Sequence, residues 1–564
     1  MRGRARRVSG LVPSNACATL TFTWFFAIAG SLGSVRTASA DNFQWVGGSD
    51  SWTRQLSNWQ DLSLSGSDKT ATHLPGLADD VTINAGNVSL TSSGSANLLY
   101  LSSSLSIFTG SYLSTGSTEV IGWTSLGNIV QFGGTNAPAV LSVRNGSYSL
   151  SGGILSSPAE WLSPPTQVGV TNIAEFTQSG GTNTAGYLTL SPTSKYTMNA
   201  GNLNVNTSGY GYTQVAGNFI QSGGTHSIAA SASAGVNFMV GSGGNYSLSG
   251  GSLSASAESI GWNSGSGTFA QTGGTNTASD TYTALVIGAS SGTTGTYNLS
   301  GTGSLIVTSS EYVGSSGTGI FNQSGGNHQI GTALRAGYSN LTIGDGAGGV
   351  GTYNLSGSGS LVVNGNEYIG YSGTGTFTQT GGTHTVTNGS VTLGGNGGTG
   401  TYNLQGGSLN VKGLVMSSGG TFNLRGAAPS TSLSVENLSN SGTMSIGGNS
   451  VVSGGTAPVQ AAAFWQYSTG TLNVQIGGTG NGQFGQLVAG NATLAGKLSV
   501  TLVNGFQPDY VHSYKILQTT SRSGTFNNGS PLIQVGPGPY GPPRFFKVIY
   551  ANDGVTIQPT TVIT

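Results

Sequence analysis

The sequence predicts an all-β protein, an elongated β-helix (a β-solenoid, expected to be right-handed) with an N-terminal cap and a C-terminal β module. Three observations predict it. Two short phrases alternate along the middle of the chain, apolar side chains inside each phrase sit two residues apart, and glycine pairs punctuate the phrases. Composition agrees. Only 6% of the 564 residues are charged, against about a quarter in a typical soluble domain, and 97 are glycine. A disordered chain would lack large apolar residues, yet 36% of this one is hydrophobic. Good helix formers are scarce, which leaves strands and turns.

The first element, residues 1–40, reads as an export signal. Arg2, Arg4, Arg6 and Arg7 precede an apolar core from Ala18 to Gly33, and Ala38-Ser39-Ala40 fits the small-residue cleavage pattern. The mature chain is expected to start near Asp41. A retained transmembrane anchor is the rival reading, but the core is short for a membrane span of ~20 residues, so no integral span is expected in the mature chain. Cys17 lies ahead of that core, which does not fit a lipoprotein, and its loss leaves no thiol chemistry. Losing Arg2, Arg4, Arg6, Arg7 and Arg36 leaves 12 basic residues against 17 acidic ones. No basic patch remains for nucleic acid.

Residues 41–118 are expected to hold the N-terminal cap and first coils, and residues 119–428 the repeat β-helix. One repeat phrase is aromatic-x-Gln-x-Gly-Gly-x-Asn/His: FTQSGGTN from Phe176, FIQSGGTH from Phe219, FAQTGGTN from Phe269, FNQSGGNH from Phe321 and FTQTGGTH from Phe377. The other is Tyr-x-Leu-x-Gly followed by Leu, starting at Tyr148, Tyr246, Tyr297, Tyr353 and Tyr402, with a looser copy at Tyr196. From Tyr148 to Tyr402 the double unit averages about 51 residues and each half about 25, a solenoid period. Each half is long enough for one circuit of short strands and glycine corners. Stacked at ~4.8 Å, residues 119–424 make roughly 12 coils in a section on the order of 60 Å long. Phe and Tyr are then expected inside, with Asn298, Asn354 and Asn403 in a ladder on the opposite parity.

The repeat positions that look chemical are Gln178, Gln221, Gln271, Gln323 and Gln379 and the histidines His226, His328 and His384. Asn183 and Asn276 occupy the histidine slot in sister repeats, so that slot needs a polar side chain and not imidazole chemistry. Gln and Asn/His replace the two leucines of the alternate phrase and are expected to bond to each other or to corner backbone. A metal ladder is disfavoured by distance. His328 and His384 are about two coils apart, ~9.6 Å, whereas two nitrogens on one zinc lie at most ~4.2 Å apart. Glu119, Glu258, Glu311 and Glu367 recur as Glu-x-Ile/Val-Gly, with Glu160 a distant copy; they are expected at corners, accepting backbone N–H bonds. No catalytic, cofactor or metal site is expected among these positions. Calcium is not supported either, because GDGAGG from Gly344 supplies one Asp and the nonapeptide calcium repeat needs one per copy.

The segment FQWVGGSDSWTRQLSNWQ, with Trp45, Trp52 and Trp59, runs on to Pro75 and Asp79-Asp80-Val81-Thr82-Ile83. It resembles the opening of secreted bacterial proteins with autotransporter-associated β-strand repeats. In that start the tryptophans cap the first coil; their rival role is glycan contact by stacking. Residues 429–564 are expected to form the C-terminal β module. There the stretch from Trp465 to Phe506 resembles the closing module of the same family. The resemblance implies an extracellular or cell-surface β-solenoid and names no ligand. Relatives often end in a membrane barrel or a sorting tail. VTIQPTTVIT shows neither, so the means of attachment stays open.

The function expected is a secreted or cell-surface structural or adhesive solenoid without catalytic activity, with extracellular polysaccharide or surface proteins as partners. The alternative is a carbohydrate-active β-helix, a polysaccharide lyase or hydrolase, with its groove at the Trp-rich end or around Trp161 to Pro165. Such catalysis needs clustered carboxylates and basic groups. Between Ile129 and Gly426 the Asp residues are Asp280 and Asp345, and Arg144, Lys195, Arg335, Lys412 and Arg425 are scattered.

Overall fold

The computed structural model describes residues 40–561 apart from 166–172, 207–210, 230–234, 264, 333–338, 425–430, 448–458, 481 and 536–543. Residues 1–39, which hold the expected leader, and the basic residues Arg335 and Arg425 lie outside the described residues. From Ala40 onward the chain forms one compact unit. It is all-β: a β-solenoid over residues 99–502 of about 15 turns, preceded by an N-terminal β region and closed by a C-terminal sheet. Among the described residues no helix is long and apolar enough to cross a membrane.

Each coil has three strand faces, and like positions pair in parallel register with the coils on either side. On the first face Tyr297 pairs with Phe321 and Phe321 with Tyr353. On the second, Leu305 pairs with His328 and His328 with Leu361. On the third, Glu311 pairs with Leu341 and Leu341 with Glu367. His328 and His384 are thus two coils apart, with Leu361 between them. Strand parity does the sorting. In Thr294–Leu299 the buried positions alternate, which puts Tyr297 and Leu299 inside and Asn298 outside.

The inward aromatic side chains form one stacked column. Ring centroids from Tyr148 through Phe176, Tyr196, Phe219, Tyr246, Phe269, Tyr297, Phe321, Tyr353 and Phe377 to Tyr402 are 4.6–5.0 Å apart, and neighbouring planes lie within 14° of parallel. That separation is the strand spacing itself, ~4.8 Å, so the ladder dictates the stacking. Outside, Asn322 Nδ2 donates to Asn298 Oδ1 and Asn354 Nδ2 to Asn322 Oδ1, both at 2.9 Å. Asn423 and Asn403 repeat the bond at 2.9 Å, after Thr378 interrupts the column.

The Gly-Gly corner joins the first face to the second. Gly382 adopts φ +69°, and a Cβ there would lie 2.3 Å from the Gly359 carbonyl oxygen one coil away. Both facts require glycine. Gly382→Ala is expected to lower stability by about 1–3 kcal/mol, read as a lower urea midpoint. An unchanged midpoint would show that the corner can open.

Loss of the repeat phrases near Ser430 does not end the solenoid, contrary to the expectation that a separate module starts there. Strands Ser432–Asn440, Thr443–Ile446, Val459–Gln466, Thr471–Ile476 and Leu487–Leu494 continue the parallel ladders. Phe422 hands the inner column to Met444, Leu472 and Leu498, all buried. An aliphatic side chain satisfies the interior as well as a ring does, so the coil survives loss of the motif. The true change comes at Tyr514–Gly524, which pairs in parallel with the last coil and antiparallel with Gly554–Thr560. That antiparallel sheet covers the end of the stack.

Candidate functional site

The polar repeat residues meet inside the coils in one recurring network. In the coil of Phe269, the Tyr297 hydroxyl donates to Gln271 Oε1 at 2.6 Å, and Gln271 Nε2 donates to the Ser304 carbonyl at 2.9 Å. Asn276 Nδ2 donates to the Tyr297 hydroxyl at 3.3 Å and to Glu258 Oε2 at 2.9 Å. The same four roles fall to Glu160, Asn183, Tyr196 and Gln178, and to Glu119, Asn136, Tyr148 and Gln131. All are enclosed, with exposures of 0–1%.

Histidine replaces Asn in three coils. His328 Nδ1 lies 2.9 Å from the Tyr353 hydroxyl, and its Nε2 2.8 Å from Glu311 Oε2. Tyr353 spends its proton on Gln323 Oε1, 2.7 Å away, so Nδ1–H must be the donor to tyrosine. His384 Nδ1 likewise faces Tyr402, which donates to Gln379, while Nε2 stands 2.8 Å from Glu367 Oε2 but off the hydrogen-bond axis. In the third coil Thr213 takes the Glu slot and sits 3.2 Å from His226 Nε2, with Tyr246 bonded to His226 Nδ1 and to Gln221. Burial pushes His226 down to about 3, so it is neutral and accepts the Thr213 proton.

The register sets Gln271 against Leu299 and Asn276 against Leu305, and Gln271 bonds to the Gly274 corner carbonyl as expected, but Gln and Asn meet through the Tyr hydroxyl and not directly. These contacts correct the reading of the glutamates. Glu119, Glu160, Glu258, Glu311 and Glu367 are not corner acceptors of backbone N–H groups; they point inward beside Asn or His. Burial raises Glu119 to about 7 and Glu160 and Glu258 to about 8. In each Asn coil the second carboxyl oxygen and the Asn Oδ1 have no hydrogen-bond partner. A protonated carboxyl suits that pairing, since two bare acceptors would repel.

A sixth copy of the Gln phrase, IVQFGGTN from Ile129, escaped the sequence reading because Ile129 replaces the aromatic. Gln131-x-Gly133-Gly134-x-Asn136 was the available signal.

Trp45, Trp52 and Trp59 cap the start of the fold, as expected, in edge-on contacts of 4.9 Å. Their exposures of 0–1% leave no ring face for a glycan, which overturns their role as glycan-contact candidates. The exposed rings lie elsewhere. Trp123, 49% exposed, packs against Tyr100 at 4.9 Å and carries the Arg144 guanidinium 5.3 Å over its ring. Trp161, 43% exposed, leads an outer column through Tyr187 to Tyr212 at 6.1 and 5.3 Å. Near the N-terminal cap, Asp41, His73 and Asp79 gather.

The fold defines a β-solenoid whose polar repeat residues are enclosed within the coils. No protein-family model matches the chain, and no curated protein matches it.

Proposed function

We propose that this chain is a secreted or cell-surface solenoid that acts as a structural or adhesive rod, binding extracellular polysaccharide or surface proteins without turning them over. The observation that carries this reading is the enclosure of the repeated Glu–Asn/His–Tyr–Gln network, whose groups no polymer substrate can touch. General acid or base chemistry requires hydrogen-bond contact with the reacting group. Outside, Ser, Thr and Asn recur coil after coil, and many weak contacts along a rod add through avidity. Export through the residue 1–40 leader and kinship with autotransporter-associated repeat proteins belong to the same proposal.

The carbohydrate-active reading keeps one favourable observation, the exposed rings at Trp123 and along Trp161, Tyr187 and Tyr212. Glycan-array binding and a reducing-sugar assay on the same preparation separate the two. Binding without release of reducing ends is expected, weakened on the order of tenfold by Trp161→Ala if that ring stacks on sugar. Turnover of any polysaccharide would overturn the non-enzymatic reading.

A further inference from the structure

The backbone N–H of Asp41 donates to Asp79 Oδ1 at 3.2 Å. This contact sits at the expected cleavage point: Ala40 is exposed, the compact unit starts there, and the first strand begins at Asn42. Asp79 is 5% exposed. Its other oxygen accepts the Gly76 N–H at 2.8 Å, and His73 Nε2 stands 3.6 Å away. A nearly buried carboxylate thus has two neutral backbone donors and one half-exposed imidazole around it.

We infer that hydrolysis of the Ala40–Asp41 bond turns the Asp41 N–H into an α-ammonium that pairs with the Asp79 carboxylate and fastens the N-terminal cap. In that step one water adds across the amide: the carbonyl carbon takes its oxygen as the Ala40 carboxylate, and the Asp41 nitrogen takes both protons and leaves as the ammonium. The catalyst is a peptidase acting on the exported chain. The inference rests on the leader reading above for its biological setting, and on geometry for the pairing itself.

The pair has a structural consequence because Asp41 and Asp79 both tie the cap to the stack. The Asp41 carbonyl accepts the Asp80 N–H at 2.9 Å, and the Asp79 carbonyl accepts the Asn97 N–H at 2.6 Å. Asn42 and Asp80 pair in parallel register. His73, the neighbouring basic side chain, has Nε2 3.9 Å from Asp41 Oδ2 and 3.6 Å from Asp79 Oδ2, and the further acidic residues of the adjoining strands are Asp80, paired with Asn42, and Asp61, paired with Phe43. A charge-assisted bond is roughly twice as strong as a neutral one. Gaining it in place of an amide bond is expected to slow opening of the cap about tenfold.

An amine whose folded pKa is raised by an anion contributes fully below its ordinary value of about 8 and loses that contribution as pH rises through the raised value.

The test is hydrogen exchange at the Asp80 and Asn97 amides in the uncut full chain, in the chain cut at Asp41, and in the cut chain acetylated at its α-amine. Exchange about tenfold slower in the cut chain alone is expected at pH 7, with the advantage gone in acetylated protein and in Asp79→Asn. Equal exchange in cut and acetylated chains overturns the pairing, even if Asp79→Asn fails to fold. Sequencing the N-terminus of the exported protein tests the setting separately: a first residue other than Asp41 overturns the processing role and leaves the exchange result standing.

Discussion

Replacing Phe321 with alanine is expected to destabilise the central coils by about 3–5 kcal/mol. The ring lies 5.0 Å from Tyr297 and 4.6 Å from Tyr353, within 5° of parallel to both, and 4.7 Å from the His328 ring. Truncation removes contact on all three sides. The neighbouring coils cannot collapse into the space, because parallel pairing on three faces fixes their separation. Phe321→Leu keeps much of the volume and, like the aliphatic column beyond Phe422, should cost far less, under about 2 kcal/mol. Asn322→Ala, on the outward side of the same strand, is the control and should cost about 1 kcal/mol or less. A stacked array can open in parts, so hydrogen exchange in the strands around Phe321 is the primary readout and the denaturation midpoint the second. Equal effects from Phe321→Ala and Asn322→Ala would mean that the ring column does not carry the stack.

The alternation of Gln with Leu and of Asn/His with Leu was legible because both lie on strands with a period of two and on phrases of nearly fixed length. The inner rings and the outer Asn298–Asn322–Asn354 ladder follow from that parity. The inward direction of the glutamates was not legible. Glu-x-Ile/Val-Gly sits just after a variable corner, and its parity cannot be carried through from the preceding strand. Coil length varies as well, Phe176 to Tyr196 being one step and Phe321 to Tyr353 another, 20 and 32 residues apart, so a column outside the phrases cannot be counted off from the sequence. Trp161, Tyr187 and Tyr212 share no phrase: Tyr187 and Tyr212 meet only through the folded register, and Trp161, which itself pairs with Thr189, reaches Tyr187 on the diagonal. Past Ser430 the signal was lost because the interior asks for apolar volume and not for a particular residue.

The buried carboxyls give the second large effect, a fall in stability as pH rises from mildly acidic to alkaline. Glu119, at about 7, and Glu160 and Glu258, at about 8, stand above an ordinary value of 4.5, chiefly through loss of water around the charge. The folded chain therefore holds protons that the unfolded chain releases. Their stabilising contribution is complete below pH 4.5 and is withdrawn between there and about pH 7–8, on the order of 3–5 kcal/mol for each carboxyl. His226 works in the opposite direction, since its value drops from 6.5 to about 3, but its effect is spent by pH 6.5. From pH 6.5 to 8 the carboxyls of the Asn coils should dominate the slope. Converting all three to glutamine keeps the acceptor for Asn Nδ2 and supplies a permanent N–H donor toward the unpartnered Asn136, Asn183 and Asn276 oxygens. Urea midpoints at pH 6.5 and pH 8 are expected to separate clearly for the parent chain and to nearly coincide for the triple variant. A parent chain equally stable at both would mean that water or a counter-charge reaches these carboxyls, and the sealed interior on which the scaffolding role depends would have to be given up.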